Sequence, residues 1–171
     1  METERFLLRP WRDDDAATLY RYASDPEVGP RAGWPPHQSV EESLEVIHTV
    51  FQNDTTWAIE LKATGEAIGC IGYMPTFELN IPVHEGDALI GYWVARPYWN
   101  QGICTEALRL MIEHIRRNTT IPSLVSSHFI DNPASGRVME HCGFQPTGET
   151  CIDETQYQGA DRPMRILRLV L

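Results

Sequence analysis

Two stretches of the sequence combine residue types and spacing that could do chemistry, and the first is W-N-Q-G-I-C-T at 99–105. It follows an apolar run at 89–94, typical of a buried strand, and precedes apolar residues at three- and four-residue spacing, typical of a helix. The first backbone N–H groups of a helix have no intrahelical partner, and the helix dipole adds about half a positive charge there. Gly102 lets the backbone approach a ligand closely. The stretch therefore predicts an anion site, most often for a phosphate.

The loop does not match two common phosphate-binding patterns. It lacks the G-x-x-x-x-G-K-[ST] pattern of nucleoside-triphosphate loops and the G-x-G-x-x-G pattern of dinucleotide folds. A purely structural interpretation also stays open, in which Gly102 only lets a strand turn into a helix. The sequence has no G-x-S-x-G elbow, which argues against a hydrolase triad.

The second stretch is D-N-P-A-S-G-R-V-M-E-H-C-G-F at 131–144. It is similar to the N-x-x-S-x-x-x-x-[EK]-x-x-G-F helix of the GNAT N-acetyltransferase superfamily, in the form found in RimJ/RimL-type acetyltransferases. The loop at 99–104 resembles the pyrophosphate loop of that superfamily, [RQ]-x-x-G-x-[GA], although Trp99 stands where Arg or Gln is usual and Cys104 where Gly or Ala is usual. The upstream phrase I-G-Y-W-V-x-x-x-Y-W-x-x-G is typical of the same group, and the resemblance covers nearly the whole chain.

The resemblance implies an α/β (α+β) fold, with one GNAT-like domain over 1–171 and a mixed, mostly antiparallel sheet of about seven strands flanked by about four helices. Hydrophobic patterning predicts strands at 6–9, 56–61, 67–74, 89–94 and 123–130, and a final strand pair from 144 onward and at 165–171. It predicts helices at 16–23, from a capping box of Ser39 and Glu42 to about Gln52, after Gly102, and after Asn132, whose side chain should cap a helix that begins at Pro133. Residues 27–38 are predicted to form a Pro- and Gly-rich loop.

For function, the resemblance implies an N-acetyltransferase that uses acetyl-coenzyme A and acts by direct attack of an amine in a ternary complex. The strand before the loop would leave its neighbour at the acetyl group, so that the N–H of Val94 could stabilise the carbonyl oxygen. Ser135 would donate a proton to the departing thiolate. The implied cofactor-binding residues are Tyr92, Trp93, Val94, Trp99, Asn100, Gln101, Gly102, Ile103, Cys104, Thr105, Asn132 and Ser135.

Two positions depart from the family pattern. Met139 stands where many relatives have a tyrosine, and Leu89 stands where some have a glutamate. Neither side chain can transfer a proton, and this supports an alternative function as a catalytically degenerate acyl-coenzyme A-binding module. A nucleotide-binding regulator is a third interpretation. The general base stays open, because each candidate is also interpretable as an ordinary solvated loop residue: Glu78, His84, Glu85, Asp87 and His37.

The acceptor pocket of the family corresponds here to 34–37, 75–88 and 146–161, and the implied substrate-binding residues are Trp34, His37, Glu85, Asp153 and Glu154. Residues 76–90 and 146–161 contain acidic side chains but no Lys or Arg, and the net charge of the chain is −10. An acidic rim favours a cationic amine, such as a protein N-terminus, a polyamine or an aminoglycoside. A solvated acidic surface explains the composition equally well, and family membership does not choose the acceptor.

The composition, with 42% apolar and 22% charged residues, is that of an ordinary globular domain. The acidic balance argues against nucleic acid as a partner, and no apolar run is long enough to cross a membrane. The N-terminus has no signal-peptide pattern. The four cysteines lack disulfide-type or metal-ligand spacing, so we predict reduced thiols, no metal, and a cytoplasmic monomer or homodimer.

Overall fold

The computed structural model describes residues 1–75, 81, 84–153 and 162–171, and its centre is a seven-stranded sheet. The strands are β1 (Phe6–Arg9), β2 (Thr56–Leu61), β3 (Glu66–Met74), β4 (Ala88–Val94), β5 (Ser123–Phe129), β6 (Gln145–Asp153) and β7 (Arg162–Val170). The α-helices of the described residues are α1 (Ala16–Ala23), α2 (Gly29–Ala32), α3 (Val40–Val46), α4 (Ile103–Asn118) and α5 (Pro133–His141). None of these helices has both the length and the apolar character that crossing a bilayer requires.

The strand order is β1-β2-β3-β4-β5-β7-β6, and every neighbouring pair is antiparallel apart from β4 and β5. β4 and β5 are parallel because α4 carries the chain back to the starting edge between them. The last strand, β7, lies between β5 and β6. The mixed, mostly antiparallel sheet predicted from the sequence is confirmed.

Most predicted elements begin and end within about three residues of their predicted positions. The helix predicted to run to about Gln52 is α3 followed by a π-helical turn at Ile47–Phe51, and one further segment differs. Ser39 caps α3 as predicted, since its hydroxyl accepts a hydrogen bond from the N–H of Glu42 at 3.1 Å. The prediction of a loop at 27–38 is wrong, because this segment contains α2. The Gly29-Pro30 pair suggests a turn in the sequence, but proline also suits a helix start, and Gly33, with a φ of 91°, ends the helix in the left-handed conformation.

Apolar side chains pack on both faces of the sheet. A large cluster lies between the sheet and the pair α4 and α5, and its fully buried members include Ile90, Leu108, Met111 and Phe144. A smaller cluster packs α1 and the segment after α3 against the opposite face, with Leu19 and Ile47 completely buried. The site described below lies where these two layers meet the parallel strands.

A buried carboxylate ties together the strands around that site. Asp87 directly precedes β4 and is only 4% exposed. It accepts hydrogen bonds from the Ser123 hydroxyl on β5, from the backbone N–H of His84 at 2.7 Å, and from Arg168 on β7 at 2.9 Å. Burial raises the pKa of the Asp87 carboxyl, but these donors outweigh burial and hold the pKa below its usual value. Asp87 thus holds together the ends of β4 and β5 at which these two strands pair.

Removing the Ser123 hydroxyl should therefore destabilise the fold. We expect Ser123→Ala to lower the free energy of unfolding by about 1–2 kcal/mol, since the hydroxyl is a donor to a buried charge. A low pKa in the folded state stabilises the protein above the unfolded pKa of about 3.9, and this stabilisation is lost as the pH falls through the folded value. The difference from wild type should therefore be full at pH 7 and shrink on acidification below about pH 4.

Urea unfolding of both proteins at several pH values measures this difference. Ser127→Ala is the matched control, because Ser127 lies on the same strand and its hydroxyl makes only a 3.5 Å contact with the Met164 sulfur among the contacts of the described residues. A Ser123→Ala protein as stable as the control variant at pH 7 would contradict the role given to this hydroxyl.

Candidate functional site

The central feature of the site is a gap between β4 and β5. These two strands, both fully described, pair only at Ala88 with Leu124 and at Leu89 with Val125. At the next position the Ser126 hydroxyl donates to the Ile90 carbonyl at 2.8 Å, in place of a backbone donor of β5. Beyond this point the strands separate, and a cavity of about 950 Å³ opens beside them.

The backbone of β4 presents a donor to this gap. The Ala95 N–H bonds to the Ile68 carbonyl on β3 at 2.8 Å, so Ala95 faces β3. The carbonyls of Ile90 and Val94 bond instead to Ser126 and to the Trp99 indole N–H, the latter at 2.8 Å. Because the N–H and the carbonyl of one strand residue point to the same side, the Val94 N–H faces the gap. This is the donor that the sequence prediction placed beside the thioester carbonyl.

The loop after β4 arranges further backbone donors. Asn100 and Gly102 both have left-handed backbones, with φ values of 59° and 73°. Asn and Gly are the residues that adopt this conformation at least cost. The first intrahelical bond of α4 runs from the Glu106 N–H to the Gly102 carbonyl at 3.0 Å, so the three N–H groups before it have no intrahelical acceptor. Successive N–H groups in such a turn form an anion-binding concavity at the positive end of α4.

Gln101 holds the loop from outside the cavity. The Gln101 side-chain amide donates to the Pro97 carbonyl at 2.9 Å, and the Gln101 backbone carbonyl accepts a hydrogen bond from the Arg5 guanidinium at 2.8 Å. Arg5 also pairs with Glu106 in the first turn of α4. Gln101 is not among the cavity-lining residues, whereas the other eleven residues predicted to hold the cofactor are: Tyr92, Trp93, Val94, Trp99, Asn100, Gly102, Ile103, Cys104, Thr105, Asn132 and Ser135.

A pair of hydroxyls joins β4 to α5 across the cavity. The Tyr92 hydroxyl donates to the Ser135 carbonyl at 2.9 Å and lies 3.2 Å from the Ser135 hydroxyl. Burial raises the pKa of Tyr92 above its usual range, so its phenol stays protonated at neutral pH. The sequence predicted a cofactor role for Tyr92 but no role for its hydroxyl. Because side chains alternate along a strand, Trp93 lies on the opposite face of β4, where it packs edge-on against Trp34 with ring centroids 5.6 Å apart.

Asn132 precedes α5 as predicted, but its side chain does not cap that helix. Its amide donates instead to the Arg31 carbonyl at the end of α2, at 3.1 Å. The backbone at Asn132, with φ −117° and ψ 65°, is not the extended conformation usual for a capping residue. The predicted cap is therefore wrong, and Asn132 connects α5 to a helix that the sequence did not reveal.

The charge of the cavity suits an anion. Among its described lining residues, Arg31 and Arg137 are the only Lys, Arg, Asp or Glu side chains, and both are cationic. The Arg31 guanidinium lies 5.3 Å from the centre of the Trp99 ring, beside the loop, and pairs with Glu27 at 2.9 Å. Neither arginine was singled out in the sequence, which has no pattern that marks them as ligands.

The residues predicted to bind the acceptor lie outside the described lining. Trp34 packs against Trp93, and the His37 ring nitrogen Nδ1 lies 2.8 Å from the buried Ser43 hydroxyl. Burial also lowers the pKa of His37. Glu85 is exposed. The Asp153 side chain, Glu154 and Glu78 lie outside the described residues, so their roles remain predictions.

The candidates for a general base are reduced by one. Asp87 is held in the buried ion pair with Arg168, so its carboxylate is not available to an amine. The two substituted family positions are both buried: Met139 is fully enclosed in the large cluster, and Leu89 is 8% exposed. Among the described residues, no group of three or more His, Cys, Asp or Glu side chains could hold a metal ion.

Comparison with known proteins gives one family match and several relatives. Residues 5–145 match the family model described as an acetyltransferase (GNAT) domain. The chain is 28% identical over 153 residues to the "uncharacterized N-acetyltransferase YoaA" of Bacillus subtilis (strain 168), covering 86% of this chain and 84% of that protein. It is 30% identical over 92 residues to the ribosomal-protein-serine acetyltransferase of Escherichia coli (strain K12), covering 54% and 48% of the two chains.

A solved structure shows the same fold. The microcin C7 self-immunity acetyltransferase MccE, in complex with acetyl-CoA and AMP, superposes with a TM-score of 0.79 at 20% sequence identity, over 99% of this chain and 94% of that one. At this identity the likeness extends to the fold alone.

Proposed function

Because the chain belongs to the GNAT acetyltransferase family, we propose that it transfers the acetyl group of acetyl-coenzyme A to a primary amine by direct attack in a ternary complex. The observation that carries the proposal is the gap between β4 and β5, which the Val94 N–H faces, next to a loop that leads into three N–H groups of α4 without an intrahelical acceptor. The cavity volume, the two arginines and the lack of a carboxylate among its described lining residues fit a long, polyanionic thioester.

Each end of that ligand has matching residues. The loop from Trp99 to Thr105 and the start of α4 would hold the pyrophosphate, with Gly102 allowing close approach. Bound acetyl-coenzyme A supplies an activated acyl carbon. The amine nitrogen forms a bond to that carbon, the carbon–sulfur bond breaks, the amine loses a proton, and the sulfur leaves as a thiolate that takes one up. The Val94 N–H stabilises the carbonyl oxygen, and such a donor contributes about 3–4 kcal/mol to the barrier.

The hydroxyl pair would supply the proton for the thiolate. The Tyr92 proton is directed to the Ser135 carbonyl, so the Ser135 hydroxyl is the donor of the pair, and it can turn its proton from the Tyr92 oxygen, 3.2 Å away, into the cavity. Tyr92 thus orients Ser135 and can return a proton to it, because burial keeps the phenol protonated. This pair would take over the function that Met139, which has no proton to give, cannot perform.

The amine must reach the carbonyl in its neutral form. An α-amino group, with a pKa near 7.7–8.0, needs only about 1 kcal/mol for this at pH 7, whereas a lysine-like amine needs roughly 4–5 kcal/mol. Since the described lining contains no carboxylate, an amine of low pKa is the better acceptor. In solution most such amines carry a charge, and the acidic chain would attract them at long range, which keeps a cationic acceptor in the proposal.

We further propose that residues 1–171 form one domain, which works in the cytoplasm as a monomer or homodimer. A single sheet that takes its strands from Phe6 to Val170 supports the first part.

A panel of primary amines tests the proposal by release of free coenzyme A thiol from acetyl-coenzyme A. We expect at least one amine to raise thiol release well above hydrolysis, with the acetylated product visible by mass spectrometry. The second candidate, a binding module without turnover, is favoured by the buried Leu89 and Met139. It predicts acetyl-coenzyme A binding with no amine-dependent release, so the same assay separates the two functions.

A further inference from the structure

The cavity has two chemically different sides, because side chains alternate along the strands that border it. Ile90 and Tyr92 face α4 and α5, on the side of Ser135. Leu89, Gly91 and Trp93 point to the opposite side of the sheet, where Leu89 packs in a separate apolar cluster with residues of β5 and β7. The hydroxyls and the phosphate loop belong to the first side, so the second side is left for the acceptor.

Gly91 opens this second side. It lies where β4 has separated from β5, it is exposed, and a Cβ added there would meet no heavy atom within 4 Å. Its φ is not among the positive values of the chain, so the backbone does not require glycine. Its neighbour across the β3 ladder, Gly72, is different, since a Cβ there would lie 2.9 Å from the Thr55 carbonyl oxygen. Glycine at position 91 therefore leaves a space in the cavity that any larger side chain would fill.

The described walls of this space are mostly apolar and carry no charge. We call it the Gly91 chamber and define it by six lining residues, Ile81, Leu89, Gly91, Ser127, Phe129 and Met164. Ile81, Leu89 and Phe129 are each at most 8% exposed, and the Ser127 hydroxyl contacts the Met164 sulfur at 3.5 Å. The cationic lining residues lie elsewhere, with Arg31 over Trp99 and Arg137 on α5. Arg162 stacks on the Phe129 ring, but it is bonded to Asp131 and to the Pro30 carbonyl.

We propose that the Gly91 chamber binds an apolar or aromatic group attached next to the acceptor amine, so that the acceptor is a monoamine with a carbon body and not a polycation. This inference rests on the proposed acetyltransferase function and names the substrate class of the same site. A second charge placed in the chamber would lose its hydration without a described partner. An apolar neighbour also lowers the pKa of the attacking ammonium, which suits a cavity without a carboxylate among its described lining residues.

The first arm of the test compares amines matched in pairs on the wild-type protein, with free thiol as the readout. We expect 2-phenylethylamine to exceed ethylamine, and phenylalaninamide to exceed glycinamide, by at least about 10-fold in kcat/KM. If the first pair reacts faster, the apolar group belongs to a simple amine. If the second pair reacts faster, it belongs to the first residue of a peptide-like N-terminus. Spermidine should be the poorest amine. Spermidine as the fastest acceptor, or equal rates within each pair, would overturn the inference.

The second arm changes the chamber. Gly91→Val should raise KM for 2-phenylethylamine at least about 10-fold while leaving KM for ethylamine and the Kd of acetyl-coenzyme A within about 2-fold. Gly91→Ala should show the same pattern with a smaller change. Met164→Ala enlarges the chamber from another strand and should favour 3-phenylpropylamine over 2-phenylethylamine relative to wild type.

The two arms keep the possible failures apart. If no amine releases thiol, the proposed function itself is wrong. If amines react but Gly91→Val lowers the rates of small and large amines alike, with acetyl-coenzyme A binding retained, only the chamber is wrong. If Gly91→Val does not fold, as judged by its circular dichroism melt, the paired amines and the Met164→Ala shift decide.

Discussion

Gly102→Val should weaken acetyl-coenzyme A binding by at least about 100-fold, or about 2.7 kcal/mol, with the fold intact. Gly102 has a φ of 73°, where a β-branched residue is strained by at least about 1–2 kcal/mol. A Cβ there would clear the protein, since the nearest heavy atom outside its chain neighbours would be Arg5 Nη2 at 3.9 Å. The substitution should therefore affect the loop itself. Either the loop changes its conformation, or the valine side chain clashes with the phosphates, and both weaken acetyl-coenzyme A binding.

Gly143→Val is the matched control for this prediction. Gly143 also has a left-handed backbone, with a φ of 94°, but it ends α5 beside Leu169. The control should lose thermal stability and keep its affinity for acetyl-coenzyme A, as measured by calorimetry. If Gly102→Val binds as tightly as the control, the loop does not hold the pyrophosphate.

Ser135→Ala should lower kcat by about 10²–10³-fold while the Kd of acetyl-coenzyme A changes by less than about 3-fold. The alanine removes the hydroxyl that would protonate the leaving thiolate. Tyr92→Phe should produce a similar but smaller loss, since Tyr92 acts through its bonds to Ser135 at 2.9 and 3.2 Å. The double variant should be little worse than Ser135→Ala alone, because residues that act as a unit are not additive.

Tyr98→Phe is the control for the hydroxyl pair. Tyr98 also lines the cavity, but its hydroxyl lies 3.5 Å from the Tyr22 hydroxyl, away from Ser135. We expect it to keep most of the wild-type kcat in single-turnover measurements. Additive losses in the double variant, or an unchanged kcat in Ser135→Ala, would remove the pair from the mechanism.

The elements of the fold were predictable where a residue type forces a local conformation. Gly143 has the positive φ that glycine usually adopts just after the end of a helix. Helix α2 was missed because four residues starting with Gly-Pro carry no helical periodicity. The insertion of β7 between β5 and β6 was also beyond local patterning, since strand order is set by long-range packing.

The site was predictable in its backbone and less so in its side chains. The family resemblance implied the Val94 donor and the loop, and both depend on consecutive residues, so their backbone arrangement followed from the motif while their roles stay predictions. The Tyr92–Ser135 contact joins residues 43 positions apart, and the Asn132–Arg31 contact joins residues 101 apart. The acceptor residues Trp34, His37 and Glu85 came from family analogy alone, and they stay predictions because the described cavity lining does not include them.

The most direct measurement of the central claim is a calorimetric titration of the wild-type chain with acetyl-coenzyme A, run beside an identical titration with ATP. We predict one acetyl-coenzyme A site per chain with a Kd of about 100 µM or tighter, and competition by free coenzyme A. ATP should bind much more weakly, because it lacks the pantetheine arm that would lie along β4. Binding of ATP with no binding of acetyl-coenzyme A at high micromolar concentration would contradict the claim and make the chain a nucleotide-binding protein.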